Sequence, residues 1–105
     1  MIGRLSTRLG LYAAAEQADD LGGVTVQWNL VSDLWAALTP RAATERGEAG
    51  RAAVLQTYKV VIRHRDDFPE RARLLWGERI LRVIAASDPD NRRERLHLIC
   101  EEEAQ

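Results

Sequence analysis

Residues 53–65 read Ala-Val-Leu-Gln-Thr-Tyr-Lys-Val-Val-Ile-Arg-His-Arg. Val54, Tyr58, Val60 and Ile62 fall on one side, with Gln56 interrupting. Thr57, Lys59, Arg63 and Arg65 fall on the other, with Val61 interrupting. Period two with β-branched and aromatic enrichment predicts a half-buried strand. At ~3.3 Å per residue it is about 40 Å long, enough to pair with most other strands of a small domain. It is the expected spine of a β fold.

Outward from that strand, Arg41 to Gly50 shows no apolar periodicity. Thr44 suits a cap, Glu45 and Glu48 suit a first turn, and Gly47 and Gly50 limit its length. The segment is expected to be a short helix or an extended loop. Before it, Val24, Val26, Trp28 and Leu30 alternate with Thr25, Gln27 and Asn29, the cleanest period-two run in the chain. It predicts a strand with Trp28 in the core. Val31–Leu38 continues past a phase break at Ser32-Asp33, read as a bulge or a bend. Pro40 is expected to end it, because proline cannot donate to a ladder. Asp19-Asp20-Leu21-Gly22-Gly23 is a turn cluster. Leu9–Gln17 before it reads as a strand despite its alanines, since Gly10 interrupts and a tight turn follows.

After the spine, Asp66–Glu70 is a turn containing Pro69. Ala72–Trp76 and Arg79–Ala86 flank Gly77-Glu78, which suits a type II′ hairpin. Asp88-Pro89-Asp90-Asn91 is another turn. In Arg95–Glu101, Leu96, Leu98 and Cys100 point one way, and residues 101–105 read as a solvated acidic tail. The sum is an all-β chain, a single domain over residues 1–105. It is a small barrel or sandwich of about six mostly antiparallel strands, with one short helix or extended loop near residues 41–50. Closure is favoured because it removes exposed sheet edges.

Of the 105 residues, 46% are hydrophobic and 30% charged, with a formal net charge of −1. That argues against disorder and lends no support to a whole-domain nucleic-acid binder. Fourteen of the fifteen basic residues are arginine, which suits protein interfaces, although a GC-rich genome produces the same bias. One cysteine rules out an internal disulfide and a multi-cysteine metal site. No apolar run approaches the roughly 18 residues of a membrane span, and no secretory leader is evident.

Catalytic and metal chemistry find little support. His64 and His97 have no third ligand at suitable spacing. Cys100 shares an apolar strand face with Leu96 and Leu98, which predicts an inert core thiol. Asp88-Pro-Asp-Asn lacks the glycine and glutamate of a calcium loop. No phosphate loop is present. No catalytic residue, cofactor or metal is therefore expected. The charge is uneven, however. Arg41–Arg65 holds six basic and two acidic residues, and Asp88–Glu103 three basic and six acidic. Opposite faces on a rigid domain can meet head-to-tail in a ring. Arg41, Arg46, Arg51, Arg63 and Arg65 on one side, and Glu101 and Glu102 on the other, are the candidate interface residues. An alternative is a monomeric barrel binding single-stranded nucleic acid through Arg63, His64 and Arg65 with Tyr58 and Trp28.

Several stretches together resemble one family. Met1-Ile-Gly-Arg-Leu5 opens the chain, followed by Gly22-Gly23-Val24, Trp28 and Trp35-Ala36. Then come Thr57-x-x-Val60-x-Ile62-Arg63-x-Arg65, Ile80-x-x-Val83, Asp88-Pro89 and Leu96-x-Leu98-x-Cys100-Glu101. In order and spacing the set resembles the phage head–tail joining proteins, also called head-closure or adaptor proteins, of long-tailed phages and gene transfer agents. Tyr58 stands where that family commonly has histidine. The resemblance implies a structural connector of a virion or phage-like particle, without catalysis or cofactor. It implies a homo-oligomeric ring, six- or twelve-fold, between a portal-side adaptor protein and a tail terminator or tail tube protein. Packaged DNA would pass through the channel without sequence readout, and no membrane is involved.

Overall fold

The computed structural model describes the backbone of residues 4–48 and 51–103, and the side chains of 4–41 and 56–103. Six strands run β1 (Thr7–Ala18), β2 (Val24–Glu48), β3 (Arg51–Arg63), β4 (Ala72–Trp76), β5 (Arg79–Ser87) and β6 (Arg95–Glu102). They close on themselves in the order β1-β2-β3-β6-β5-β4, every pair antiparallel. The expected all-β architecture is therefore a barrel rather than a sandwich. Its interior is lined by Leu9 and Leu11 from β1, Tyr58, Val60 and Ile62 from β3, Leu74 from β4, Leu81 from β5, and Leu96, Leu98 and Cys100 from β6. The spine strand turns Tyr58, Val60 and Ile62 inward as its alternation predicts and pairs with β2 on one side and β6 on the other, but it ends at Arg63, Thr57 and Val61 of its other face are buried too, and the Val54 side chain lies outside the described residues.

The turns follow their local chemistry. The Asp19 carboxylate accepts from the Leu21 and Gly23 amides at 2.9 and 2.7 Å, locking the β1–β2 tip. Trp76 pairs with Arg79 across a two-residue loop, and Gly77 adopts φ +62°, the positive value that the first position of a type II′ turn requires. Asp88 accepts from the Arg93 amide at 2.8 Å and closes the turn before β6.

Two expectations about residues 24–50 are overturned together. Pro40 does not end a strand, and 41–48 is neither helix nor loop; residues 49–50 lie outside the described residues. β2 runs for 25 residues through both. Its first half pairs with β1, from Val24↔Ala18 to Ala36↔Thr7. Its second half pairs with β3, from Ala36↔Ile62 to Glu48↔Arg51. Ala36, fully buried, is the corner that belongs to both ladders. Beyond it β3 is the one strand paired with β2 among the described residues, so Pro40 sits on an edge of the described sheet, where a missing N–H costs little. Residues 41–48 are held by a backbone ladder to β3, from Arg41↔Thr57 to Glu48↔Arg51, which needs no apolar periodicity in the sequence.

Bulges account for the breaks in alternation. Leu11 pairs with Ser32 and Tyr12 with Leu30, leaving Val31 unpaired. Arg41 pairs with Thr57 and Thr44 with Leu55, so two residues oppose Gln56. The Gln56 amide donates to the Arg41 carbonyl at 2.7 Å and to the Thr57 carbonyl at 3.0 Å. A polar residue interrupts the apolar face there because it serves the backbone at the bulge.

Candidate functional site

Two ribbons leave the barrel from opposite ends of β2. β4 covers β1 only from Gly10 to Ala13, so Ala14–Ala18 and Val24–Trp28 project as a two-stranded ribbon. β6 covers β3 only from Thr57 to Arg63, so Thr44–Glu48 and Arg51–Leu55 form the second. The radius of gyration is 15.3 Å, against about 13 Å for a compact chain of this length.

At the barrel end where β4 turns into β5, Tyr58, Trp76, Arg79 and Glu102 form one cluster. The Tyr58 and Trp76 rings meet edge to face, with centroids 5.7 Å apart. The Arg79 guanidinium lies 4.4 Å from the Trp76 centroid and donates to both Glu102 and the Tyr58 hydroxyl. That hydrogen bond holds the Glu102 carboxyl below the usual carboxylate range and raises Arg79. The cluster satisfies each polar group with a neighbour and caps the apolar interior. Outside the same wall, Arg82 pairs with buried Glu101 at 2.5 Å and Arg73 with Glu103 at 3.1 Å. Residues 101–103 are therefore not a solvated tail; three arginines of β4 and β5 hold them in place.

The interface residues expected from charge do not converge. Arg41 is exposed. Arg46 and Arg51 pair with Ala53 and Glu48 in the β2–β3 ribbon, and their side chains lie outside the described residues. Arg63 is exposed at the other end of β3, opposite Arg95, about 40 Å of strand away from Arg51. Arg65 is held within the chain, donating to Asp67 at 3.0 and 3.2 Å and to the Ser32 hydroxyl at 2.5 Å. Its guanidinium keeps the Asp67 carboxyl below the ordinary range. Glu101 faces out from the barrel wall, whereas Glu102 belongs to the end cluster.

The outer face of β2 also carries apolar side chains. Val24, Val26 and Leu30 are 62%, 41% and 57% exposed. Trp28 is not in the core as expected, but half-buried on the outer face beneath Arg73, whose guanidinium lies 4.1 Å from its centroid. Trp35 is also exposed, and of the three tryptophans only Trp76 packs against the core. The cleanest alternating run thus points its apolar side outward, along a ribbon with no second layer. Beside it a hollow of about 180 Å³ is walled by Tyr12, Trp28, Leu75 and Ile80, with Arg73 at its rim. The sequence signal was available in β1: Leu9 and Leu11 fill the interior, so Tyr12 must face away from it.

Burial pushes the Cys100 thiol up to about 12. Among the described residues no group of three His, Cys, Asp or Glu side chains is placed to hold a metal ion.

Comparisons with known proteins agree with this architecture. No curated protein matches the chain. Among solved structures, a chain from the virion of the native gene transfer agent particle superposes with a TM-score of 0.80 at 26% identity, covering 97% of both chains. The solution structure of protein SF1141 from Shigella flexneri 2a superposes with a TM-score of 0.70 at 25% identity, covering 99% of this chain and 97% of the other. The model of the phage head completion proteins matches residues 1–103. The chain belongs to the phage head completion protein family and is a structural component of a phage-type particle.

Proposed function

We propose that the protein is a ring subunit that closes the DNA-filled head and offers the tail its docking surface. The observation that carries this reading is the match to head completion proteins over residues 1–103, joined to likeness along nearly the whole chain with a gene transfer agent virion component. The geometry supports it. A closed barrel is a stiff body, and two ribbons leaving opposite ends of one strand give it reach toward neighbours on two sides. Such a subunit sits between a portal-side adaptor and a tail terminator or tail tube. It needs no catalysis and no cofactor. A net charge of −1 suits a channel wall that DNA slides past, because strong neutralisation of phosphates would hold it.

The geometry favours the connector over the nucleic-acid module. Tyr58 is 5% exposed and its hydroxyl is bonded to Arg79 and Glu102, so its ring is not offered to a base. Trp28 already carries Arg73 on its face, and Arg65 is paired with Asp67.

Deleting the gene and imaging the particles by negative stain tests the connector role. DNA-filled or leaking heads without tails are expected. Normal tailed particles would overturn it. A salt titration against single-stranded oligonucleotides separates the alternative, for which micromolar, salt-sensitive binding would be required.

A further inference from the structure

Leu21 is the most exposed large apolar side chain described, at 95%, and it stands at the β1–β2 tip behind Asp19 and Asp20. The tip is held in one shape by the Asp19 carboxylate, which accepts from the Leu21 and Gly23 amides. A rigid, bare leucine beside two acids is shaped to enter an apolar hollow with a basic rim. The outer face of the barrel carries one. Its walls are Tyr12, Trp28, Leu75 and Ile80. Gly10 makes room for it: a Cβ there would come within 3.2 Å of the Tyr12 ring, so glycine lets that ring lie across the strand. Arg71 and Arg73 lie over Trp28 at 6.0 and 4.1 Å. Each pairs with one carboxylate, Glu16 and Glu103 respectively, but a guanidinium has about five N–H donors and keeps capacity for another.

We propose that the tip Asp19-Asp20-Leu21 of one copy docks into the Trp28 hollow of a second copy, with Leu21 against Leu75 and Ile80 and the aspartates toward Arg71 and Arg73. This rests on the ring reading above and names its contact. The tip does not reach its own hollow, since Tyr12 to Ala18 spans about 20 Å of extended strand. The contact is heterologous, so repeating it generates a ring if the rotation closes. Burial of one leucine is too little by itself to hold two free copies against the entropy of association. Repeated contacts among copies already lined up on a neighbour make it effective.

The test uses particles from a producing strain whose only copy of the gene carries Leu21→Cys and Leu75→Cys. They are treated with a short bis-maleimide and run on a denaturing gel. Buried Cys100 does not compete. A ladder of multimers is expected from the double variant, and monomers from each single variant. The pair Leu21→Cys with Ile80→Cys probes the same hollow if the first pair fails to assemble. Particles with a visible connector ring but no ladder from either pair overturn this contact and leave the ring reading standing. A cross-link from Leu21→Cys to a different protein also overturns it. Particles with tails and no ring of this protein sink both.

Discussion

Replacing Leu98 and Leu30 by alanine, one at a time, separates the inside of this barrel from its outside. The chemistry removed is identical. Leu98 is fully buried on β6, opposite Val60 of β3; Leu30 is 57% exposed on the outer face of β2. Deleting three carbons at a fully buried site loses ~2.4 kcal/mol of transfer free energy at about 0.8 per carbon. The cavity left in a barrel whose walls cannot collapse inward raises the total to about 3–4 kcal/mol. A domain of this size is stable by about 5–15 kcal/mol, so the fraction lost is large. The melting temperature should fall by roughly 12–30 °C, at about 4–8 °C per kcal/mol. At Leu30 more than half the side chain already meets water and no cavity forms, so the loss is about 1 kcal/mol or less. Circular dichroism melts and urea titrations measure both; the midpoints should separate while the denaturant slope stays unchanged. Equal destabilisation by the two substitutions would refute the placement of the Val24–Leu30 face on the outside.

Further outcomes follow from the same geometry. The depressed Glu102 carboxyl contributes stability above the ordinary glutamate value of 4.5 that is lost as pH falls through its lower folded value. Glu102→Gln should therefore cost stability at pH 6 and much less at pH 3; a pH-independent difference in urea melts would contradict the Arg79 pairing. Cys100 should resist a thiol reagent at pH 8 in the native protein and react fully in denaturant, and fast native labelling would contradict its burial. Charge reversal at Arg51 and Arg63 should impair particle assembly more than it lowers the melting temperature; a surface charge such as that of exposed Arg63 contributes at most about 1 kcal/mol. Equal loss of folding and assembly would count against an interface role for both residues.

Most of the barrel was legible where a strand has one wet face and one dry face. Residues 56–63 and 95–101 carry an apolar face because the interior demands it, whereas 72–76 and 79–86, the latter apolar on both faces in sequence, are placed by the hairpin turn between them. Legibility failed where that demand is missing. Residues 41–48 are held by a backbone ladder to β3, which leaves no periodic mark in the sequence, so polarity and glycines read as loop. Val24–Leu30 alternates perfectly, yet period two reports only that two faces differ, not which of them meets the interior. Glu101–Glu103 looked like a tail because the partners that hold them, Arg82, Arg79 and Arg73, lie about 20 or more residues earlier in the chain. Pairing of that range leaves no local signature. For the assembly surface, summing charge along the sequence grouped Arg41 to Arg65, whereas the fold sends the two ends of that stretch to opposite ends of β3.

The double membership of β2 has a mechanical consequence. One covalently continuous strand supplies a side to each ribbon, and between them lies no turn, only the unpaired Val31, the corner at Ala36 and the bulge opposite Gln56. The ribbons therefore cannot be re-aimed independently. A torque on either tip is either absorbed between Val31 and the bulge before Thr44 or carried along the backbone to the other. That stretch is the compliance of the molecule, and stiffening it would lock the angle between its two arms.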